Sequence, residues 1–190
     1  MKKIKKIKIG VGIVLLLAVG LFFHHTLPRT VVVQITGTDV KRVDKTGKVI
    51  ESLNEAAGSK GKVAHTYDMR FINSLTRKGK PMVFRNEDTG WGWPPYLKFG
   101  SADLTAEAQA FASSQNRPWV LVKYYGWRIK IFSMFPNTIS LKEVGQDYSH
   151  IPFFNIVFFV VLFSVAFYLR RKAKKLLDWA RGQKTKTKEA

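Results

Sequence analysis

Two apolar runs near the ends of this 190-residue chain limit how it can fold. The first covers residues 9–27 and the second covers residues 151–169. A helix needs about 20 apolar residues to cross a hydrocarbon core of about 30 Å. A buried core helix fits the second run poorly, because the rest of the chain is too small to surround it. The sequence therefore predicts two transmembrane helices on either side of a domain of residues 28–150.

The first run has a second interpretation, because a basic start followed by an apolar core also describes a cleaved signal peptide. Cleavage needs small side chains just before the cut. This run instead ends in bulky residues, at Leu21-Phe22-Phe23-His24-His25. The pattern favours an uncleaved anchor.

The two ends of the chain, a basic start (residues 1–8) and a basic tail (residues 170–190), carry most of the net positive charge. Lysine and arginine next to a span are retained in the cytoplasm, so both termini are predicted cytoplasmic and the domain external, in the periplasm if the cell is a Gram-negative bacterium. Of the net charge of +19, most flanks the spans, which favours a lipid bilayer with anionic headgroups as partner and no nucleic acid. The residues predicted to meet the membrane surface are Lys2, Lys3, Lys5, Lys6, Arg170, Arg171, Lys172, Lys174 and Lys175.

The tail has two interpretations. Residues 174–180 could extend the second helix and rest Leu176, Leu177 and Trp179 on the bilayer surface. Alternatively, the tail is solvated and fixes only the topology. Beyond Gly182 its polar composition predicts disorder.

The pattern between the runs predicts three strands, one helix and two further strands. The helix is predicted because Leu104, Ala108, Phe111 and Ala112 recur at helical spacing, with Asp103 or Thr105 as its cap. The predicted elements are strands at 29–38, 62–72, 82–85, 119–132 (with a bulge, bend or turn at Gly126) and 138–144, a hairpin or long loop at 38–62, and the helix at 103–114. The chain is thus predicted to be a membrane-anchored α+β protein. Its domain is either a small five-stranded barrel of the oligonucleotide/oligosaccharide-binding (OB) type or an open sheet with one helix.

Residues 84–103 combine aromatic, acidic and basic side chains with glycine and proline, which predicts a structured loop. Aromatic faces beside carboxylates and amides can hold a sugar ring or a lipid headgroup. The alternative is that the rings fold inward and plug the barrel, while Arg85 pairs with Glu87 or Asp88. The candidate ligand- or partner-binding residues are Arg85, Asn86, Glu87, Asp88, Trp91, Trp93 and Tyr96.

Four short sequences in this domain resemble a bacterial family of unknown function. They are Arg-Asn-Glu-Asp-Thr-Gly-Trp-Gly-Trp-Pro-Pro-Tyr (85–96), Lys-Phe-Gly-Ser-Ala-Asp-Leu (98–104), Tyr-Tyr-Gly-Trp-Arg (124–128) and Phe-Pro-Asn (135–137). The family's members are small proteobacterial inner-membrane proteins. The resemblance implies a bacterial envelope location and supplies no activity and no catalytic residue.

Cofactor and metal sites are not predicted. The chain contains no cysteine, which excludes disulfides and thiolate metal sites. His24 and His25 stand at a predicted membrane edge, while His65 and His150 are isolated. No phosphate loop, serine elbow or zinc motif is present.

Three functions are compatible with these sequence features. The favoured one is non-catalytic binding of an envelope partner, which could be a protein, a glycan or a lipid headgroup. The second is an envelope hydrolase that uses Glu87 or Asp88, although neighbours on an extended chain point to opposite sides. The third is a structural or assembly subunit that acts through its spans, with Asn155 and Ser164 on a helix–helix face.

Overall fold

The computed structural model describes residues 2–43 and 67–186, and the side chains of residues 6–43 and 67–179. The chain divides after His150 into two compact units. The elements of the first unit are α1 (Lys2–Thr26), β1 (Arg29–Val43), β2 (Tyr67–Thr76), β3 (Pro81–Arg85), α2 (Ser101–Ser113), β4 (Trp119–Tyr125) and β5 (Asn137–Val144). The second unit contains α3 (Phe153–Lys186).

The five strands form a closed barrel in the order β1-β2-β3-β5-β4. Long β1 makes closure possible, because residues 33–43 pair with β2 and residues 29–34 pair with β4. The remaining pairs are antiparallel except β3 with β5, which meet in parallel where Arg85 lies opposite Asn137. The predicted fold class is confirmed, in its barrel form and with the helix between β3 and β4.

Alternating apolar residues of the strands fill the barrel. Val33, Ile35, Val120 and Val122 are fully or almost fully buried there, around Phe84. Each such side chain contributes roughly 1.5–3 kcal/mol when fully removed from water. Helix α2 covers this core with the residues that its spacing predicted, namely Leu104, Ala108, Phe111 and Ala112.

Several boundaries differ from prediction. Strand β1 continues to Val43, so the expected loop does not begin at Thr38, and β2 continues to Thr76 instead of ending at Ile72. Strand β3 begins at Pro81, β5 begins at Asn137, and α2 begins two residues earlier than expected, at Ser101. The rest of the predicted loop, the first residues of the predicted second strand and His65 lie outside the described residues.

The strand predicted over residues 119–132 is wrong beyond Tyr125. Gly126 has a φ of +88°, a left-handed conformation that ends the extended chain there. Residues 127–136 turn back, with a single bridge between Ile129 and Met134. The expected bend at Gly126 is therefore confirmed, and it ends the strand instead of interrupting it.

Two helices are long and apolar enough to cross a membrane by length and composition. They cover 21 residues of α1 (Lys6–Thr26, mean hydropathy 2.2) and 27 residues of α3 (Phe153–Trp179, mean hydropathy 2.1). In the most apolar 18-residue window of each helix, no residue is buried against the rest of the chain.

Helix α3 continues well past the predicted span. Good helix formers, above all lysine, alanine and leucine, carry it through Lys186, so the disorder predicted beyond Gly182 is wrong for residues 183–186. Residues 187–190 lie outside the described part. Of the two interpretations of the tail, the structure favours helix extension, with Leu176, Leu177 and Trp179 exposed.

Candidate functional site

The end of α1 is fixed to the barrel through its own carbonyl groups. A helix leaves its last four carbonyls without partners inside the helix. Here the Tyr96 hydroxyl donates to the Thr26 carbonyl, and the Gly126 N–H donates to the His25 carbonyl at 2.9 Å. The barrel domain therefore supplies donors to two of these carbonyls.

Aromatic side chains reinforce this junction. The Trp127 indole N–H donates to His24 Nδ1 at 2.8 Å, and the ring also meets His25 edge to face at 5.0 Å. The Trp93 ring stacks on Phe22 with centroids 5.8 Å apart and an interplanar angle of 16°. We call the barrel residues that hold the end of α1 the collar: Trp93, Tyr96, Gly126 and Trp127. All four belong to the two Trp-containing motifs, Arg85–Tyr96 and Tyr124–Arg128.

The acidic residues of the first motif hold local structure. Arg85 Nε and Glu87 Oε2 form an ion pair at 3.0 Å, as the alternative interpretation of this loop expected. Asp88 accepts hydrogen bonds from the backbone N–H of Ser101 at 2.8 Å and from its hydroxyl at 3.1 Å.

Asp88 thereby caps helix α2 from 13 residues upstream. The cap predicted at Asp103 or Thr105 is wrong, because Gly100 occupies the N-cap position and has no side chain to donate an oxygen. A carboxylate at a helix N-terminus also interacts favourably with the helix dipole.

Asn86 and Lys98 form a buried pair at the centre of the loop. Lys98 is 8% exposed, and its ammonium group donates to Asn86 Oδ1 and to the Thr138 carbonyl, the latter at 2.7 Å. The amide of Asn86 donates in turn to the Ser101 carbonyl at 2.7 Å and to Thr105 Oγ1 at 2.8 Å. Burial lowers the pKa of Lys98 to about 8, although the charges of Asp88 and Glu87 act in the opposite direction. The pair joins the loop to both α2 and β5.

Asn137 holds the loop from β5. Its Oδ1 accepts from the Glu87 N–H at 2.9 Å, and its Nδ2 donates to the Glu87 carbonyl and to the Tyr125 hydroxyl, each at 3.0 Å. Tyr96 packs against Tyr125 with ring centroids 4.9 Å apart. Burial raises the pKa of the Tyr96 hydroxyl above its ordinary value. The loop is thus tied down at several points.

Lys98 and Asn137 were not among the predicted site residues. The sequence contains both inside the resembling motifs, as polar residues set among aromatic and apolar neighbours. That contrast is the signal that could have singled them out, because a polar residue held in an apolar setting usually has a hydrogen-bonding task.

The indole rings of the same loop face solvent. Trp91 is 84% exposed and Trp93 is 68% exposed, with Leu97 and Phe99 also exposed beside them. The prediction that the aromatic rings fold inward and plug the barrel is therefore wrong for both tryptophans. Tyr96, Tyr125 and the polar network already occupy the interior at this position.

A second group of exposed apolar side chains follows Trp127. Ile131 is 90% exposed and Phe132 is 72% exposed, at the tip of residues 127–136. Each segment contains a residue that contacts the last turns of α1, Trp93 in the first and Trp127 in the second. We call the exposed apolar residues of the two segments the apolar rim: Trp91, Trp93, Leu97, Phe99, Ile131 and Phe132. Exposed apolar side chains grouped in this way are candidates for an interaction site.

A cavity of about 150 Å³ opens between the collar and the second segment. It is lined by His25, Arg85, Trp127, Phe132 and Asn137, among others. Arg85 brings a charge to its wall, although that charge is already paired with Glu87. The volume suits a few water molecules or one small polar group.

The predicted membrane-surface cations lie outside the barrel. Lys6 is exposed on α1, and Arg170, Arg171, Lys172, Lys174 and Lys175 are exposed on α3. The side chains of Lys2, Lys3 and Lys5 lie outside the described part. Within the ranges that the structure describes, no group of three or more histidine, aspartate or glutamate side chains could hold a metal ion.

Comparison with known proteins gives two matches. The model of a family described as "Protein of unknown function (DUF1523)" matches residues 4–176. A protein of Haemophilus influenzae, described as uncharacterized, is 45% identical over 124 residues, which cover 65% of this chain and 66% of the relative. The aligned region thus spans just under two thirds of each protein. No solved structure matches.

Proposed function

The chain belongs to the DUF1523 family of proteins of unknown function, and we propose that it is a two-span inner-membrane protein whose barrel binds the outer surface of the bilayer without catalysis. In this proposal both termini are cytoplasmic and residues 28–150 lie in the periplasm. The collar fixes the barrel at the point where α1 leaves the lipid.

One observation carries this proposal: the stacking of exposed Trp93 on Phe22. Phe22 lies one turn before the end of α1, at the outer edge of the predicted span. A ring stacked on it at 5.8 Å has to lie at the same depth. Tryptophan rings favour that depth, because the indole is apolar but its N–H needs a polar partner. In this proposal the other residues of the apolar rim also lie at the surface of the bilayer.

The charge pattern supports the orientation. Seven exposed lysine and arginine side chains, two on α1 and five on α3, flank the apolar segments, and cytoplasmic retention of such residues is the general rule. A long loop is exported largely regardless of its own charge, so the basic residues of the barrel do not oppose this orientation.

The other two functions have less support. Glu87 is paired with Arg85 and Asp88 caps α2, so a hydrolase would have to release both carboxylates from structural roles. The Ser164 hydroxyl donates to the Val160 carbonyl of its own helix at 2.8 Å, which weakens its candidacy for contact with another helix. An envelope protein or glycan as the partner of the rim remains distinguishable by experiment.

Reporter fusions test the orientation. We expect alkaline phosphatase fused after Leu104 to be active, because the enzyme needs the oxidising periplasm to form its disulfides. Green fluorescent protein at the C-terminus should fluoresce. With the reporters exchanged, green fluorescent protein after Leu104 should not fluoresce and phosphatase at the C-terminus should be inactive. Fluorescence after Leu104, or phosphatase activity at the tail, would contradict the proposed topology.

A further inference from the structure

A second cleft lies away from the cavity beside Arg85. It has a volume of about 520 Å³, and its walls come from the start of β1, the turn between β2 and β3, and the segment that leads to α3. The Arg77 guanidinium donates to the Tyr148 carbonyl at 2.7 Å and so joins two of these walls.

The floor of this cleft is apolar. Val32 and Leu121 lie opposite each other on β1 and β4, and both line the cleft. They alternate with Val33 and Val120, which face the barrel interior, so their side chains point outward. Both are nevertheless buried, which shows that the walls of the cleft shelter them from water.

The edge of the cleft is cationic. Arg77, Lys78 and Lys80 follow one another in the β2–β3 turn, and all three line the opening. His150 adds a further nitrogen-bearing ring, 6.4 Å from that of Tyr148. None of the described residues that line the cleft has a carboxylate. A ligand here meets the positive charges of the described lining residues above an apolar floor.

The chain connects this cleft closely to both predicted spans. Thr30 lines it four residues after α1 ends at Thr26, and His150 lines it three residues before α3 begins at Phe153. An extended chain advances at most about 3.6 Å per residue. Each of these wall residues therefore lies within about 15 Å of the end of an apolar helix.

We propose that this cleft binds the headgroup of an anionic phospholipid of the outer leaflet. The lipid phosphate sits among Arg77, Lys78 and Lys80, and the glycerol backbone and first methylenes rest on Val32 and Leu121. A zwitterionic choline headgroup fits less well, because its ammonium group would find no carboxylate in the lining. The inference rests on the proposed outer placement of the barrel and adds to it a ligand class and a site.

Lipid binding to the full-length protein in neutral detergent tests the site. Short-chain phosphatidylglycerol and phosphatidylcholine are added in parallel, and bound lipid is counted by native mass spectrometry. We expect phosphatidylglycerol to bind in preference, and Lys78→Gln/Lys80→Gln to weaken its binding by about tenfold or more, from the loss of two cations near the phosphate. The side chains of Lys78 and Lys80 are exposed, and unfolding temperatures should confirm that the variant folds.

The matched control is Lys41→Gln/Arg42→Gln, which removes the same charge from the far end of β1. Lys41 and Arg42 are exposed and form weak pairs with Asp39 and Asp68, each at 3.4 Å. The control should keep the affinity for phosphatidylglycerol within about twofold, since neither residue lines the cleft and distant surface charges are screened by salt. An equal loss in both variants, or equal binding of the two lipids, would overturn the proposal.

Inorganic phosphate separates the two possible sources of the anion. If phosphate alone binds as tightly as phosphatidylglycerol and is lost in the Lys78/Lys80 variant, the cleft is a phosphate site and the lipid assignment is wrong. Because the measurement is made in detergent, it does not depend on orientation in the membrane. If the lipid does not bind as predicted but the reporter fusions give the expected topology, the cleft is not a lipid site and the proposed function is unaffected.

Discussion

Replacing Asn86 with alanine is expected to lower the free energy of unfolding by about 3–5 kcal/mol, because it leaves the Lys98 ammonium group buried without its side-chain acceptor. The substitution also removes the donors to the Ser101 carbonyl and Thr105 Oγ1. Urea unfolding of the full-length protein in detergent, followed by tryptophan fluorescence, gives the value.

Three comparisons make this test specific. Asn116→Ala, at an exposed asparagine, should change the free energy by no more than about 0.5 kcal/mol. Asn86→Ala/Lys98→Met should recover much of the loss, since the unpaired charge is then gone. A loss below about 1 kcal/mol in Asn86→Ala would show that Lys98 does not depend on Asn86.

The buried charge of Lys98 predicts that the free energy of unfolding depends on pH. The folded-state pKa of Lys98, about 8, lies below its ordinary value, so the unfolded chain binds more protons between the two. The penalty for burying the cation is therefore present below pH 8 and decreases as the pH rises through 8. The wild-type protein should therefore gain stability between pH 8 and about 9.5, below the ordinary range of tyrosine ionisation.

Replacing Gly126 with valine is expected to cost about 2–4 kcal/mol and to loosen the attachment of α1. A left-handed backbone costs a residue with a Cβ about 1–2 kcal/mol, and branching at Cβ raises this cost. The new Cβ would also lie 3.6 Å from the Pro136 Cα atom and 3.9 Å from a ring nitrogen of His25, which leaves little room for two further methyl groups. Urea unfolding measures the loss of stability.

Gly37→Val is the matched control, because an added Cβ there meets nothing within 4 Å. It should change the free energy of unfolding by less than about 1 kcal/mol. Loosening of α1 should appear as faster hydrogen exchange at the Gly126 position, whose N–H bonds to the His25 carbonyl in the native protein. Equal costs for the two substitutions would contradict the special role of the Gly126 conformation.

The sequence predicts best what local patterns determine. The spacing of Leu104, Ala108 and Phe111 predicted the buried face of α2, and the order of strands and helix predicted the barrel. The cap of α2 could not be predicted from its own residues, because Asp88 reaches it from a distant loop. The same is true of Lys98, whose acceptors are brought together only by folding.

The aromatic loop shows a second limit of sequence reasoning. Residues 86–100 contain no helix or strand, so no period assigns their side chains to the inside or the outside. Trp93 and Tyr96 lie three residues apart, yet one ring is exposed and the other packs beneath the end of α1. The motif was recognised as unusual from sequence, but the division between supporting and exposed residues required the structure. The binding role of the exposed residues stays a prediction.

The central claim is that the apolar rim lies in the outer surface of the bilayer, and site-directed nitroxide labels test it most directly. Because the chain has no cysteine, single cysteines at Leu97, Phe132 and Lys41 can each carry a unique label in the full-length protein in phospholipid vesicles. A label that collides mainly with oxygen lies in lipid, and a label that collides mainly with a water-soluble nickel chelate lies in water. The account predicts that oxygen dominates at residues 97 and 132, and the nickel chelate at residue 41. Equal access of the chelate to all three labels would contradict it.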